Sequence, residues 1–353
     1  MGKNVFVGLS GGVDSAVAAL LLLQQGYRVT GVFLKNWSGS DYGIEDQCPW
    51  EEDLKSARAV ADKLEIPFKV YNFEKEYREL VIKDFFSQYS IGNTPNPDVL
   101  CNKFIKFDKF LNRAMEDGAD YIATGHYAGT MGGALYRAKD TNKDQTYFLH
   151  QLTKEQLSRT LFPLACLTKP EVREIARKSQ LPNYSRKDSQ GICFVGKVNI
   201  TNFLKTELKE KLGEVIDIDS LKDVGQHNGV WFYTIGQRKG LRVGGLDQPY
   251  FVCKKDVENN RLYVTKGRNS PSLYSKTVKL DHFHIISDIT LSDSFTATVR
   301  YRSKDSRITL SLNGSSALAS FLEPQWAVAV GQSLVVYRDD QCIGGGVITD
   351  IVE

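Results

Sequence analysis

The feature that constrains this chain most is a glycine-rich turn between an apolar run and a helix-forming run. The turn reads Gly8-Leu9-Ser10-Gly11-Gly12-Val13-Asp14-Ser15, follows Val5-Phe6-Val7 and precedes an Ala- and Leu-rich stretch ending near Gln25. Adjacent glycines let the backbone approach an anion closely, and the N–H groups of a first helical turn point at it. The sequence therefore predicts a strand, an anion-binding turn and a helix.

The turn differs from the two commonest phosphate-binding motifs. It lacks the Gly-Lys-Ser/Thr ending of a Walker A loop, so it contains no lysine to reach the outer phosphates. Its glycines also lack the G-x-G-x-x-G spacing of a dinucleotide loop. An ordinary turn with Asp14 as a helix-start residue is the simplest alternative. Residues 10–15 instead resemble the pyrophosphate loop of ATP pyrophosphatases, which implies ATP as co-substrate, Mg²⁺ with it, and nucleotide contacts throughout Gly8–Ser15.

Strands and helices alternate through the first half of the chain. Strands are predicted at Tyr27–Leu34, Phe68–Phe73 and Asp120–Thr124, and amphipathic helices at 51–65 and 75–89. This alternation predicts an α/β fold with a doubly wound parallel sheet. Because ligands bind at the carboxyl ends of the strands in such sheets, we expect Leu34 to contact the adenine and Gly125 to lie in the same crevice.

The second half of the chain has a different pattern. A basic amphipathic helix is predicted over Asn199–Leu212, followed by short strands and turns. We expect a pyrophosphate-loop domain at 1–205, a small β-rich domain at 206–271 and an antiparallel β-barrel at 272–353. Barrel strands are predicted at Thr296–Arg302 and Ile308–Leu312, and four cations (Arg300, Arg302, Lys304 and Arg307) fall in one hairpin there. They indicate either an RNA contact or a mixed-charge surface.

Composition narrows the class of protein. The 353 residues carry a net charge of +3, and no apolar run approaches the roughly eighteen residues of a membrane helix. The chain enters a strand within a few residues, so we expect no signal peptide and a cytoplasmic location. The six cysteines form no close pairs, which argues against a zinc ribbon or a secreted disulfide framework.

A second constrained stretch runs from Thr94 to Asn102, with the sequence TPNPDVLCN. Its two prolines prevent a helix from starting earlier, so Asp98 and Cys101 are predicted at a helix start. The helix dipole, Lys103 and Lys106 favour a thiolate at Cys101. Alternatively, Asp98 caps the helix and Cys101 only packs. The residues alone leave both interpretations open.

Together with the glycine turn, this stretch resembles the tRNA-specific 2-thiouridylases, which replace the C2 oxygen of the wobble uridine with sulfur. Matching segments continue in order along essentially the whole chain: Ala123–Tyr127, Lys143–Gln145, Asp188–Phe194, Gly225–His227, Tyr233–Leu241 and Gly344–Gly346. The resemblance implies that Cys193 carries a persulfide from a sulfur-donor protein. It also implies that Cys101 then attacks Cys193 to leave a disulfide, and that Asp98 is a general acid/base.

The resemblance further implies tRNA as substrate, contacted by the 206–271 domain and bound by the 272–353 barrel, with glutamate, lysine and glutamine acceptors expected. The implied tRNA contacts are Asn96, Pro97, Asp98, His126, Lys143, Asp144, Gln145, Arg300, Tyr301 and Gln332. Two rival functions stay open. One is an amidotransferase-type ligase of the same superfamily, which transfers nitrogen and needs no paired cysteines. The other is a nucleotide-responsive RNA-binding protein without catalysis.

Overall fold

The computed structural model describes residues 2–39, 50–187, 199–241, 243, 248–288 and 294–352. The strands are β1 Asn4–Gly8, β2 Arg28–Lys35, β3 Phe68–Asn72, β4 Tyr121–Ala123, β5 Gly129–Met131, β6 Ala134–Tyr136, β7 Thr160–Leu161, β8 Gly213–Asp217, β9 Asp223–His227, β10 Tyr250–Asp256, β11 Arg261–Lys266, β12 Tyr274–Ile285, β13 Phe295–Thr298, β14 Ser306–Asn313, β15 Ser316–Trp326, β16 Ser333–Arg338 and β17 Gln341–Val352.

The α-helices are α1 Val13–Gln24, α2 Trp50–Lys63, α3 Glu74–Tyr77, α4 Lys83–Ser90, α5 Pro97–Leu100, α6 Phe110–Glu116, α7 Lys154–Ser158, α8 Lys169–Lys178 and α9 Ile200–Leu204. Two π-helical segments, Arg78–Ile82 and Cys101–Lys109, join α3 to α4 and α5 to α6. In the part of the chain that the structure describes, no helix has the length and apolarity needed to span a bilayer.

The first sheet is parallel, with strand order β3-β2-β1-β4-β7. The central strand β1 is the apolar run that begins the chain. Val5 and Val7 are completely buried, as expected for a strand covered on both faces. The doubly wound parallel sheet is therefore confirmed. The turns after β1, β2 and β4 leave the same edge of this sheet, and this edge carries the candidate site.

The C-terminal strands close into a barrel. β12, β15, β14, β13, β16 and β17 pair antiparallel in this order, and β12 also pairs with β17. The hairpin β5–β6, from the first half of the chain, pairs with β17 through Gln341 opposite Tyr136 and Cys342 opposite Leu135. A four-stranded sheet of order β10-β11-β8-β9 lies between the two larger units in sequence. The predicted barrel is confirmed, and the hairpin that extends its sheet is an addition.

Two predicted elements are wrong in extent. The helix predicted over Asn199–Leu212 ends at Leu204, because the Thr206 hydroxyl donates to the Phe203 carbonyl (2.8 Å), and turns follow. The strand predicted over Thr296–Arg302 ends at Thr298, and the chain turns with Arg302 at φ 62°. Arg300 is consequently placed on a bend beside the barrel, not within a strand.

Candidate active site

The turn after β1 has the predicted form. α1 begins at Val13, with Gly12 in an extended conformation at the N-cap position. The Ser15 hydroxyl donates to the Gly12 carbonyl (3.1 Å) and accepts from the Ser10 N–H (3.2 Å). Gly11 adopts φ 78°, which favours glycine. The turn therefore holds the N-terminus of α1, with its partial positive charge, at the carboxyl edge of the sheet.

The Gly11 carbonyl is fixed by three donors from distant segments. It accepts hydrogen bonds from Ser56 Oγ (2.8 Å), Asn183 Nδ2 (2.8 Å) and Arg186 Nη1 (3.2 Å). Arg186 also pairs with Asp53. With its carbonyl held from behind, the turn cannot change its peptide orientations freely. The segment that reaches residue 187 is thus attached directly to the predicted nucleotide loop.

Lys169 supplies the cation that the turn itself lacks. Its Nζ lies 2.7 and 2.8 Å from the two Asp14 carboxylate oxygens, and the Tyr127 hydroxyl donates to the same carboxylate (2.9 Å). Lys169 is 9% exposed. The sequence interpretation missed this residue. The Thr168-x-x-Glu171 capping box marks the start of α8 but does not reveal where that start docks.

Three successive residues after β4 join the turn to the rest of the site. A Cβ on Gly125 would lie 2.6 Å from the Ser15 nitrogen, so the backbone touches the start of α1. The His126 ring packs against Phe107, with centroids 5.7 Å apart, and its Nδ1 lies 2.8 Å from Thr124 Oγ1. Burial lowers the pKa of His126 well below its usual value, so this ring is neutral.

The Cys101 stretch forms a helix start, as predicted. Asn96 occupies the N-cap position, Pro97 the first turn, and Asp98 stands beside it in that turn. Asn96, rather than Asp98, therefore takes the capping position, which corrects one of the two interpretations. Cys101 begins the π-helical segment and is completely buried. The Phe107 that contacts His126 lies on the same segment.

The barrel holds the loop before this helix. The Gln332 amide donates to the Thr94 and Pro95 carbonyls at 2.8 and 3.3 Å, and the Thr94 N–H donates to Val330 O (2.8 Å). The Tyr147 hydroxyl donates to Ser333 O (2.9 Å). The prolines of the loop are therefore set in position by main-chain and amide contacts from the far end of the sequence.

Residues 143–145 have mainly supporting contacts. Asp144 accepts from the Ala138 N–H (2.9 Å) and the Thr146 hydroxyl (2.6 Å), and burial raises its pKa. The Gln145 side-chain oxygen accepts from the Tyr127 N–H (3.0 Å). Lys143 is half-buried beside them. These contacts fix the segment between the glycine turn and the barrel.

Most of the remaining predicted site residues lie in the described part of the chain, but Cys193 does not. Tyr301 packs on Phe148 with centroids 4.6 Å apart, and Arg300 donates to the Trp326 carbonyl (3.2 Å). Leu34 is 7% exposed near the end of β2, where adenine contact was predicted. Cys193 lies outside the described residues, with the whole Asp188–Phe194 segment. The structure therefore brings together the nucleotide set and the Asn96–Cys101 set and leaves Cys193 unassigned.

Comparison with known proteins gives a consistent family. Family models match a tRNA methyl transferase HUP domain at residues 3–197, a tRNA methyl transferase PRC-barrel domain at 201–266 and an aminomethyltransferase beta-barrel domain at 275–348. Solved structures give weak likenesses, such as an NMN synthetase from Francisella tularensis (20% identity, TM-score 0.36, covering 54% of this chain and 69% of that one). At that score the likeness supports no argument.

Curated relatives match over nearly the full length. The chain is 47% identical to a tRNA-specific 2-thiouridylase MnmA of Streptococcus thermophilus, covering 98% of this chain and 95% of the relative. It is 46% identical to the protein of that name in Legionella pneumophila, with both chains covered completely. A 48% match in Streptococcus mutans covers 98% and 95%. On this agreement along its whole length, the chain belongs to the tRNA-specific 2-thiouridylase family.

Proposed function

We propose that this protein catalyses ATP-dependent 2-thiolation of the wobble uridine of tRNA. The observation that carries the proposal is the segment 125–127. Gly125 touches the glycine turn, His126 touches the helix that bears Cys101, and the Tyr127 hydroxyl reaches Asp14. One short segment thus joins a loop suited to phosphates to a helix that carries a thiol and a carboxylate. Activation of a base by ATP and delivery of sulfur both need such a junction.

The first step activates the base. The uridine C2 oxygen attacks the α-phosphorus of ATP, the bond to the β-phosphate breaks, and pyrophosphate leaves. The N-terminus of α1 and the Lys169 ammonium stabilise negative charge on the departing phosphates. The adenylated oxygen can then leave as AMP, which makes C2 open to a nucleophile.

The second step delivers sulfur. The terminal sulfur of a Cys193 persulfide attacks C2, and AMP leaves with the former base oxygen. The Cys101 thiolate then attacks the Cys193 Sγ, so the S–S bond breaks, the outer sulfur stays on C2, and a Cys101–Cys193 disulfide forms. An external reductant resets the pair. Asp98, one turn before Cys101, transfers the proton as general acid/base.

The proposal includes a sulfur-donor protein as partner and glutamate, lysine and glutamine tRNAs as acceptors. For Mg²⁺ the described residues offer no protein-built site. They contain no group of three His, Cys, Asp or Glu side chains placed to hold a metal ion. The Asp14 carboxylate, within the glycine turn, is already bonded to Lys169 and Tyr127. No step of the proposal is therefore assigned to magnesium.

The test is mass spectrometry of nucleosides after incubation of unmodified tRNA with the protein, ATP, Mg²⁺ and a persulfide donor. We expect 2-thiouridine at the wobble position. Cys101→Ser and Cys193→Ser should each abolish thiolation and leave ATP binding intact, whereas Cys166→Ser, at an exposed thiol, is the matched control. Either variant thiolating at the wild-type rate removes that cysteine from the mechanism.

The same assay separates the rival functions. Incorporation of nitrogen in place of sulfur would assign an amidotransferase-type ligase. A methylated nucleoside would instead agree with the tRNA methyl transferase after which the matching family models are named. Absence of tRNA-dependent pyrophosphate release, with tRNA still bound, would assign an RNA-binding protein without catalysis. Each of these outcomes contradicts the proposal.

A further inference from the structure

Two arginines from different units lie on one tryptophan beside the site. The guanidinium carbons of Arg268 and Arg300 are each 4.9 Å from the ring centroid of Trp326. Arg300 Nη2 donates to the Trp326 carbonyl, and Trp326 Nε1 donates to the Arg268 carbonyl, both at 3.2 Å. We call these three residues the indole clamp. Arg268 follows β11 of the middle sheet, whereas Trp326 ends β15 of the barrel.

The clamp is rigid. Phe251 packs edge-on against the indole, with centroids 6.3 Å apart. Gly236, at φ 83°, approaches so closely that a Cβ there would lie 3.0 Å from the edge of the indole ring. Both guanidinium groups are thus held against a packed indole before any ligand arrives, which reduces the entropy lost on binding.

The clamp carries positive charge that the described part of the protein does not neutralise. Some described arginines have carboxylate partners: Arg137 pairs with Asp305, Arg186 with Asp53 and Arg261 with Glu214. Within the described ranges, no carboxylate forms an ion pair with Arg268 or Arg300. Burial lowers the pKa of Arg300, and the charge of Arg268 lowers it further. Two like charges held together favour an anion between or beside them.

The position of the clamp indicates which anion it binds. Tyr301, the residue after Arg300, packs on Phe148 with ring centroids 4.6 Å apart, and the Asn102 side chain donates to the Phe148 carbonyl (3.2 Å). Asn102 follows Cys101 on the π-helical segment that continues the helix bearing Asp98. The clamp is therefore continuous with the part of the site assigned to the target base. A planar guanidinium pair matches phosphate oxygens in geometry and charge.

We propose that Arg268, held beside Arg300 by Trp326, binds a backbone phosphate of the tRNA next to the target nucleotide and completes the contact expected for Arg300. This inference rests on the proposed function. It assigns the RNA contact expected of the 206–271 domain to Arg268, which follows β11. It also gives Trp326 a positioning role, because its ring and its polar atoms contact both arginines.

The test is tRNA binding as a function of salt, measured without ATP or a sulfur source. Each phosphate contact contributes to the slope of log affinity against log salt concentration. Arg268→Gln should lower that slope by about 1 and weaken binding several-fold at low salt. Arg261→Gln is the matched control, because it removes the same charge from β11 where Glu214 already pairs with it. Trp326→Leu should lower the slope as Arg268→Gln does.

The outcomes separate this inference from the proposed function. If the wild-type protein binds and thiolates tRNA but Arg268→Gln keeps the slope of Arg261→Gln, only the indole clamp loses its role. If Arg268→Gln reduces sulfur delivery from the donor protein at unchanged tRNA affinity, the clamp faces a protein and the inference is overturned. If the wild-type protein does not thiolate tRNA, the proposed function itself fails.

Discussion

The two halves of the candidate site are built differently. The nucleotide half is a single short turn on the edge of a parallel sheet, held from behind by donors to the Gly11 carbonyl. In the base half the helix start at Pro97 is encoded locally, but the loop before it is not. The loop at Thr94–Pro95 is positioned by Gln332, which lies more than two hundred residues away in sequence. Neighbouring residues therefore set the conformation of the first half, which distant donors then fix, whereas the second half needs the docked barrel.

The largest effect is expected from a variant that damages the nucleotide half alone, and this variant tests whether the two halves are independent. In Gly125→Ala the new methyl group would lie 2.6 Å from the Ser15 nitrogen and 2.7 Å from the Asp14 carbonyl carbon, both backbone atoms that cannot move aside. We expect ATP affinity, measured by calorimetry, to fall about 100-fold, near the upper end of the usual overpacking cost. Binding of tRNA should persist.

The control is Gly129→Ala, where the nearest atom is 3.6 Å from the added methyl group. If Gly125→Ala loses ATP and tRNA affinity together, with its thermal unfolding unchanged, the two halves are not independent.

A second test asks whether the nucleotide half depends on a distant cation. Lys169→Met removes the ammonium beside Asp14, and a hydrogen bond to a charged group contributes about 1.5–3 kcal/mol. We expect affinity for ATP and for pyrophosphate to fall about 10-fold, with partial recovery in Lys169→Arg. Lys178→Met, at the other end of α8, should bind as the wild type does. Equal affinity for ATP in the two methionine variants would show that Lys169 contributes only to packing.

The smallest effect is expected in the base half. Gln332→Ala removes two neutral hydrogen bonds to the Thr94–Pro95 loop, contributing about 1 kcal/mol. We expect kcat/KM for tRNA to fall about fivefold while ATP affinity stays constant. Gln325→Ala is the control, because its amide donates to Glu323 within its own strand. A change in ATP affinity in Gln332→Ala would show that the barrel also shapes the nucleotide half.

Sequence patterns predicted what is local in this protein. The strand, glycine turn and helix at residues 4–24 follow from residues that are neighbours in sequence, and so does the helix start at Pro97. Lys169 could not be placed, because nothing in its own segment encodes the docking of α8 against Asp14. The β5–β6 hairpin turns at Gly132-Gly133, but its pairing with β17 depends on a partner two hundred residues away.

The helix predicted at 199–212, which is shorter in the structure, shows another limit of prediction from sequence. Phe203 and Leu204 are buried, so the apolar positions at its start were correct. A hydrophobic period describes which side chains pack, but a hydroxyl that competes for a backbone carbonyl can end the helix inside that period.

The β5–β6 hairpin has a consequence for how the molecule comes apart. Because the hairpin pairs through its main chain with β17, the barrel cannot separate from the first unit without breaking backbone hydrogen bonds. Loosening the barrel exposes an unpaired strand edge and releases Thr94 at the same time. The nucleotide half and the base half should therefore unfold in one cooperative transition. After cleavage of the chain between them, the two fragments should stay associated.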